Sequence, residues 1–213
     1  MPLAPEGYPF ILGPIVAGVL AWLFGYHWIA VVLVVVALAC VAFFRDPVRR
    51  SEAPAQAVLA PADGRVLSVG DAPAHLAERG LTHQVSIFMS PADVHVNRAP
   101  ISGTVLEAWR REGAKFPAFR DKASELNEHS FVVIEGPDAT VAFKQIAGSV
   151  ARRVVCDLSP GQQVERGQRV GIIKFSSRVD LFLPSHLEVA VTPGQRTRAG
   201  VSVVATPAED RTP

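Results

Sequence analysis

From Gly7 to Phe44 the chain carries no Asp, Glu, Lys or Arg, and His27 is the sole ionisable imidazole there. So long an uncharged stretch does not belong on the surface of a domain dissolved in water. It holds two apolar runs, "FILGPIVAGVLAWLF" (Phe10–Phe24) and "WIAVVLVVVALACVAFF" (Trp28–Phe44), separated by Gly25, Tyr26 and His27. A spanning helix needs about 20 apolar residues, with a lower limit near 17. The second run sits at that limit; the first is shorter and carries Gly13, Pro14 and Gly18. The pattern predicts a membrane hairpin with Trp22, Tyr26 and Trp28 as interfacial anchors, and leaves open whether both runs span or form a re-entrant hairpin. A cleaved signal peptide would want a basic start, which "MPLAPEGY" lacks. A buried helix pair would not be so uniformly apolar. The runs end in "RDPVRR", where Arg45, Arg49 and Arg50 put the following domain on the cytoplasmic face by the positive-inside rule. The expected division is residues 1–50, hairpin and basic stop, and residues 51–213.

Beyond about Ala53 the chain changes character. Short β-rich runs alternate with Gly, Pro and Asp turns: "AVLAPADGRVLSVG", "HQVSIFMS", "ISGTVLEAW", "HSFVVIEGPDATVAFKQI", "QRVGIIKFSSRVDLFLP", "LEVAVT" and "AGVSVVA". Such spacing predicts a mainly β, sandwich- or barrel-like domain. Only the stretch Phe116 to Leu126 reads as helical or irregular. "PGQQVERGQRV" (Pro160–Val170) and "PGQRTRAGVSV" (Pro193–Val203) echo each other, with a second Gly six residues after the first. Charge is balanced, 21 Lys+Arg against 20 Asp+Glu, so no general nucleic-acid field is implied. Cys40 and Cys156 lie in unlike surroundings, which argues against a disulfide framework and for a reducing compartment.

The histidines His75, His83, His95, His129 and His186 form no tight ligand cluster, so no metal is expected. Neither phosphate-binding glycine spacing occurs. "DKA" (Asp121, Lys122, Ala123) is the tripeptide that carries lipoate in carrier domains, and keeps a membrane-tethered carrier or binding module open as an alternative. In "SPADVHVNRAP", an extended chain puts Asp93, His95 and Asn97 on one face and Val94 and Val96 on the other. Asp63 in "PADG" reads as a turn residue, and its carboxylate could orient a histidine brought beside it.

Gly148-Ser149, in "AFKQIAGSVARRVV", offers a different chemistry. Glycine leaves its carbonyl unhindered, so where the backbone bends, the Ser149 hydroxyl can attack it and shift the acyl group from nitrogen to oxygen. Elimination of the ester frees the Gly148 carboxylate and leaves dehydroalanine, which hydrolyses to a pyruvoyl group. That ketone can capture an amine as a Schiff base and act as an electron sink, as pyridoxal phosphate does elsewhere.

The ordered set "APADGRV", "MSPADVHVNRAPISGTV", "DKASELNEHS", "QIAGSVARRVV" and "GIIKFSSRVDLFLP", behind the apolar N-terminus, resembles the phosphatidylserine decarboxylase proenzymes, most of all their short bacterial and archaeal branch. The resemblance covers nearly the whole chain. It implies a barrel-sandwich-like catalytic domain, self-cleavage between Gly148 and Ser149 into a β chain (1–148) and an α chain (149–213), and a pyruvoyl cofactor made from Ser149, without pyridoxal phosphate or metal. It implies conversion of phosphatidylserine to phosphatidylethanolamine at the bilayer surface, in a membrane-attached enzyme. Decarboxylation of a related serine-headgroup lipid stays open, and so does a homo-oligomer. Asp63 matches the acidic member of the family's self-cleavage relay, and His95 the histidine linked to decarboxylation. Longer relatives carry a second histidine where this chain has Arg98, which leaves the base for self-cleavage unassigned. Arg152 and Arg153, close to the cofactor in sequence, are candidates for the substrate's phosphate or carboxylate.

Overall fold

The computed structural model describes residues 2–114, 116–117, 126–148, 153–174 and 177–208. The chain divides into two compact units, Met1–Val48 and Arg49–Pro213. In the first, helix α1 (Tyr8–Leu23) and helix α2 (His27–Phe43) are joined by a short turn in which Gly25 has φ 82°. The seam between them is built from small residues. Gly18, Ala30 and Ala37 are buried, and a Cβ on Gly18 would lie 3.4 Å from that of Leu33. Most large side chains instead face outward, Ile11 and Phe43 being buried: Val16, Val19, Leu23, Val35 and Leu38 are each more than half exposed. This is the reverse of a water-soluble helix pair and matches small-residue packing in lipid. With its preceding turn, Pro5–Leu23 forms one helical stretch of 19 residues, long and apolar enough to cross a membrane. At 1.5 Å per residue, the 17 residues of α2 reach about 26 Å, short of a hydrocarbon core of about 30 Å.

The second unit is mainly β. Its largest sheet is antiparallel throughout and curled, with eight strands among the described residues. From edge to edge these are β13 (Arg196–Thr197), β2 (Gly64–Asp71), β3 (Leu81–Met89), β11 (Ser177–Pro184), β7 (Thr140–Ala147), β6 (His129–Glu135), β5 (Gly103–Arg111) and β9 (Gln163–Val164). Two three-stranded sheets accompany it. One is β1 (Val58–Leu59), β14 (Val203–Pro207) and β12 (Leu187–Val189); the other is β4 (Val96–Arg98), β10 (Arg169–Ile173) and β8 (Val154–Cys156). Each apolar run singled out in the sequence beyond Ala53 contains a strand. Of the stretch from Phe116 to Leu126, residues 118–125 lie outside the described residues, Lys122 among them.

The main core lies on one face of the large sheet and draws on all three sheets, with Ile87, Val105, Val132, Phe143 and Leu181 meeting Val154, Ile173 and Val204. The opposite face carries a smaller cluster of Leu76, Leu81, Phe131, Val133, Ala142 and Phe182. Central strands are thus buried on both sides, which explains continuous apolar runs such as "FVVI" and "LFL" where strict alternation would mark a half-exposed strand.

The echoed Pro-Gly-Gln segments supply the two edges of the large sheet, β9 and β13. Their bonding repeats as well. Gly161 donates to Val105 O (2.8 Å) as Gly194 does to Val66 O (2.8 Å), and Gly167 donates to Ala99 O (2.8 Å) as Gly200 does to Ala60 O (2.9 Å). The acceptors sit in a second repeated pair, "APADGRV" (Ala60–Val66) and "APISGTV" (Ala99–Val105). The two copies grip one another, Leu59 N–H on Pro100 O (2.9 Å) and Arg98 N–H on Pro61 O (3.0 Å).

Candidate active site

At one end of the large sheet, the inward-facing row changes from apolar to polar. Along β7, Val141, Phe143, Gln145 and Ala147 share the inner face, and Gln145 is the one polar residue in phase with the core. It is fully buried, donating to Asn97 Oδ1 (2.8 Å) and accepting from the Ser130 hydroxyl (2.7 Å). Asn97, also fully buried, turns its amide toward Pro61 O (3.4 Å) and Met89 Sδ (3.7 Å). Ser177 donates to the same sulfur (3.2 Å) and pairs with Ala147 across the strands. Cys156 completes the row; burial pushes its thiol pKa up, against a weaker lowering from the Leu158 backbone. Strand register and hydrogen bonds so draw four sequence motifs together, those of Pro61, Asn97, Gln145 and Ser177. The fifth joins through Asn127.

Gly148 is buried and directly follows β7. Ser149 and Arg152 lie outside the described residues. The chain is described again at Arg153, which is exposed and accepts a bond from Lys174 N–H through its carbonyl (3.3 Å). From there it enters β8. The backbone on both sides of this segment is held by Asn127 and Glu128. Ala147 donates to Glu128 O (2.9 Å) and accepts from Asn127 Nδ2 (2.7 Å), while Val154 N–H donates to Glu128 Oε1 (3.0 Å).

His95 is fully buried just before β4. Its Nδ1 lies 3.0 Å from Asp93 O. A carbonyl only accepts, so Nδ1 carries a proton, and any proton exchange by the ring is left to Nε2. Asp93 is itself fixed by Ser90, whose N–H (2.8 Å) and hydroxyl (2.6 Å) both donate to Oδ2. His95 O accepts from Ile173 N–H (3.3 Å), and Ile173 pairs with Val154, so the histidine lies across β10 from the start of β8.

Asp63 is 8% exposed and has other partners. Arg49 holds both carboxylate oxygens, Ala199 N–H donates to Oδ1 (2.8 Å), and Arg49 also reaches Ala199 O (3.0 Å). Among the described bonds, Asp93 O orients His95, and Arg49 with Ala199 N–H orients Asp63. Arg49, which the sequence marks only as part of a basic stop, is mostly buried in this ion pair. Arg98 donates to Gly167 O (3.0 Å) and its stem lies against Gly200, so the residue at the second-histidine position braces the repeat. His129 is on the other face of β6, edge-on to Trp109, and burial lowers its pKa below the usual 6.5. Among the described residues no group of three or more His, Cys, Asp or Glu is placed to hold a metal ion.

Several of these residues escaped the sequence reading. Gln145 was detectable as a polar residue in phase with Val141 and Phe143. Asn127 and Glu128 sit in a motif where the sequence reading weighed only the Asp121-Lys122-Ala123 tripeptide and His129.

Known proteins resemble the chain along most of its length. A family model described as phosphatidylserine decarboxylase matches residues 36–205. A phosphatidylserine decarboxylase proenzyme of Magnetococcus marinus is 46% identical over 202 residues, 94% of this chain and 93% of the relative. Proteins of the same description from Chlorobium limicola and Granulibacter bethesdensis are 43% and 44% identical, covering 95% and 96% of this chain and 99% and 85% of their own lengths.

Proposed function

The chain belongs to the phosphatidylserine decarboxylase family, and we propose that it cuts itself between Gly148 and Ser149 and decarboxylates phosphatidylserine to phosphatidylethanolamine with a pyruvoyl group made from Ser149. The observation that carries this reading is the convergence of the five motifs on the end of β7, where Gly148 is buried beside a neutral polar row. His95, Asn97, Ser130 and Gln145 suit a small uncharged ketone that is part of the chain. Once formed, that ketone would supply a carbonyl for the substrate's amine and a sink for the electrons left behind when CO2 departs.

The residues of the chain do the rest. His95, with a proton held on Nδ1 by Asp93 O, is the candidate to deliver a proton to the substrate carbon through Nε2. Asp63 serves self-cleavage, with Arg49 and Ala199 N–H holding its carboxylate in one orientation. Arg153, exposed next to β8, is a candidate for the headgroup phosphate or carboxylate, together with Arg152. We read the three sheets around one core as a barrel-sandwich domain, and α1 with α2 as a membrane hairpin that keeps the enzyme where its lipid substrate is. The basic residues after α2 favour the cytoplasmic face.

The test is conversion of phosphatidylserine in vesicles by the full chain and by Ser149→Ala. The wild type should release CO2 and form phosphatidylethanolamine, and Ser149→Ala should stay uncut and inactive while remaining folded. Turnover by the alanine variant would refute the role of Ser149.

A further inference from the structure

Ala147 and Val154 are held by two consecutive residues of a separate segment. We propose that Asn127 and Glu128 are positioning residues that force the bend required for self-cleavage and then keep the new α-chain terminus in place; this rests on Gly148–Ser149 being the bond that is cut.

Asn127 is fully buried and spends its whole carboxamide on backbone. Nδ2 donates to Ala147 O (2.7 Å) and Phe116 O (2.7 Å), and Oδ1 accepts from Phe116 N–H (2.8 Å). A carboxamide provides two donors and an acceptor together, which a carboxylate of the same shape cannot. With Ala147 N–H on Glu128 O, both backbone polar groups of Ala147, the residue before Gly148, are held. At the far end, Glu128 Oε1 accepts from Val154 N–H (3.0 Å) and pairs with Arg110 Nη2 (2.8 Å). Adjacent Cα atoms are about 3.8 Å apart, whereas an extended path from Ala147 to Val154 would span roughly 23 Å. Both residues are bonded to Glu128, so they lie nearer to one another than an extended link would place them, which is the ground for the proposed bend.

That bend is what the first step needs. The Ser149 hydroxyl oxygen bonds to the Gly148 carbonyl carbon, the C–N bond breaks, and the hydroxyl proton ends on the Ser149 nitrogen, giving an ester. A base then removes the Ser149 Cα proton as the Gly148 carboxylate leaves. The dehydroalanine takes a proton on Cβ, adds one water and loses ammonia to give the ketone. After the cut, Glu128 is in one chain and Val154 in the other, so the Glu128–Val154 bond spans the break close to the new terminus.

The experiment follows synthesis of the full-length chain over time and measures the fraction cut between Gly148 and Ser149 by mass spectrometry, with and without hydroxylamine, which cleaves esters but not amides. Asn127→Asp removes both donated bonds and should slow cutting by about tenfold or more. Its uncut chain should resist hydroxylamine, because the acyl shift itself fails. Glu128→Ala should slow cutting by about tenfold, and Glu128→Gln, which keeps an acceptor for Val154 N–H, should stay within about twofold of the wild type. Cutting of Asn127→Asp at the wild-type rate, or an uncut Asn127→Asp chain that hydroxylamine splits, would overturn the proposal. So would equal rates for Glu128→Gln and Glu128→Ala, which decides the matter if Asn127→Asp fails to fold. A wild-type chain cut at some other bond would instead sink the underlying assignment.

Discussion

The turns at Ala60–Val66 and Ala99–Val105 have one backbone and two chemistries. In both, glycine meets a neighbouring carbonyl so closely that a Cβ would clash, at 2.0 Å from Phe88 O for Gly64 and 2.1 Å from Glu135 O for Gly103. In both, the residue before that glycine accepts an N–H from the matching position of the echoed segment. Asp63 takes it from Ala199 (2.8 Å) and Ser102 from Arg166 (2.9 Å). The difference lies in charge and burial. Asp63 is buried under Arg49, whereas Ser102 is exposed and accepts that N–H through a neutral hydroxyl. A hydroxyl is therefore enough to close this turn. The carboxylate at position 63 and the arginine paired with it are additions this backbone turn does not require, in line with the self-cleavage role proposed for Asp63.

The largest effect should come from making the first turn a copy of the second. Asp63→Ser keeps an acceptor for Ala199 N–H but strands Arg49, a loss of about 3–5 kcal/mol for a buried pair broken on one side. Denaturant unfolding should show that loss, and gels should show uncut chain. Adding Arg49→Met should recover much of the stability without restoring self-cleavage; recovery of cutting would mean that Asp63 serves only the fold. Next, Gly64→Ala and Gly103→Ala should each lower stability by about 1–3 kcal/mol or more, and to a similar degree, since each puts a methyl on a backbone oxygen. A large difference between their melting temperatures would break the equivalence of the turns. Ser102→Ala should cost only about 1 kcal/mol, the loss of one exposed hydrogen bond, and leave cutting unchanged.

The smallest effect concerns pH. Burial keeps His129 below its ordinary value, so unfolding takes up a proton there; the lowered value is opposed only by its bond to Asn127 O. Its contribution to stability is complete above about 6.5 and is lost as pH falls through the folded value. His129→Gln should flatten the decline seen in denaturant melts from about pH 7 to about pH 5. An unchanged slope would assign the acid sensitivity to other groups.

Much of this was legible in residues taken in order. The uncharged stretch from Gly7 to Phe44 announces outward-facing apolar helices, because no soluble surface tolerates it. The β-rich runs announce strands and the Pro-Gly-Gln echo two similar turns, though that both feed the edges of one sheet shows only in the fold. The sequence reading paired that echo but missed "APADG" with "APISG", whose likeness rests on backbone geometry at Gly64 and Gly103 more than on side chains. Partners distant in sequence were not readable at all. Arg49 looks like any basic residue after an apolar run until Asp63 is folded onto it, and Asn127 becomes a clamp only once Ala147 is beside it. Arg98 illustrates the limit from the other side. In sequence it is only a departure from the second histidine of longer relatives, while in the fold its bond to Gly167 O makes it a brace.

The central claim is that this chain makes its own cofactor at residue 149, and intact mass spectrometry of the purified protein tests it most directly. The account predicts two species, residues 1–148 ending in an ordinary carboxylate, and residues 149–213 one ammonia lighter than a chain beginning with free serine and closed to Edman sequencing. A single uncut chain of 213 residues that still decarboxylates phosphatidylserine would contradict it.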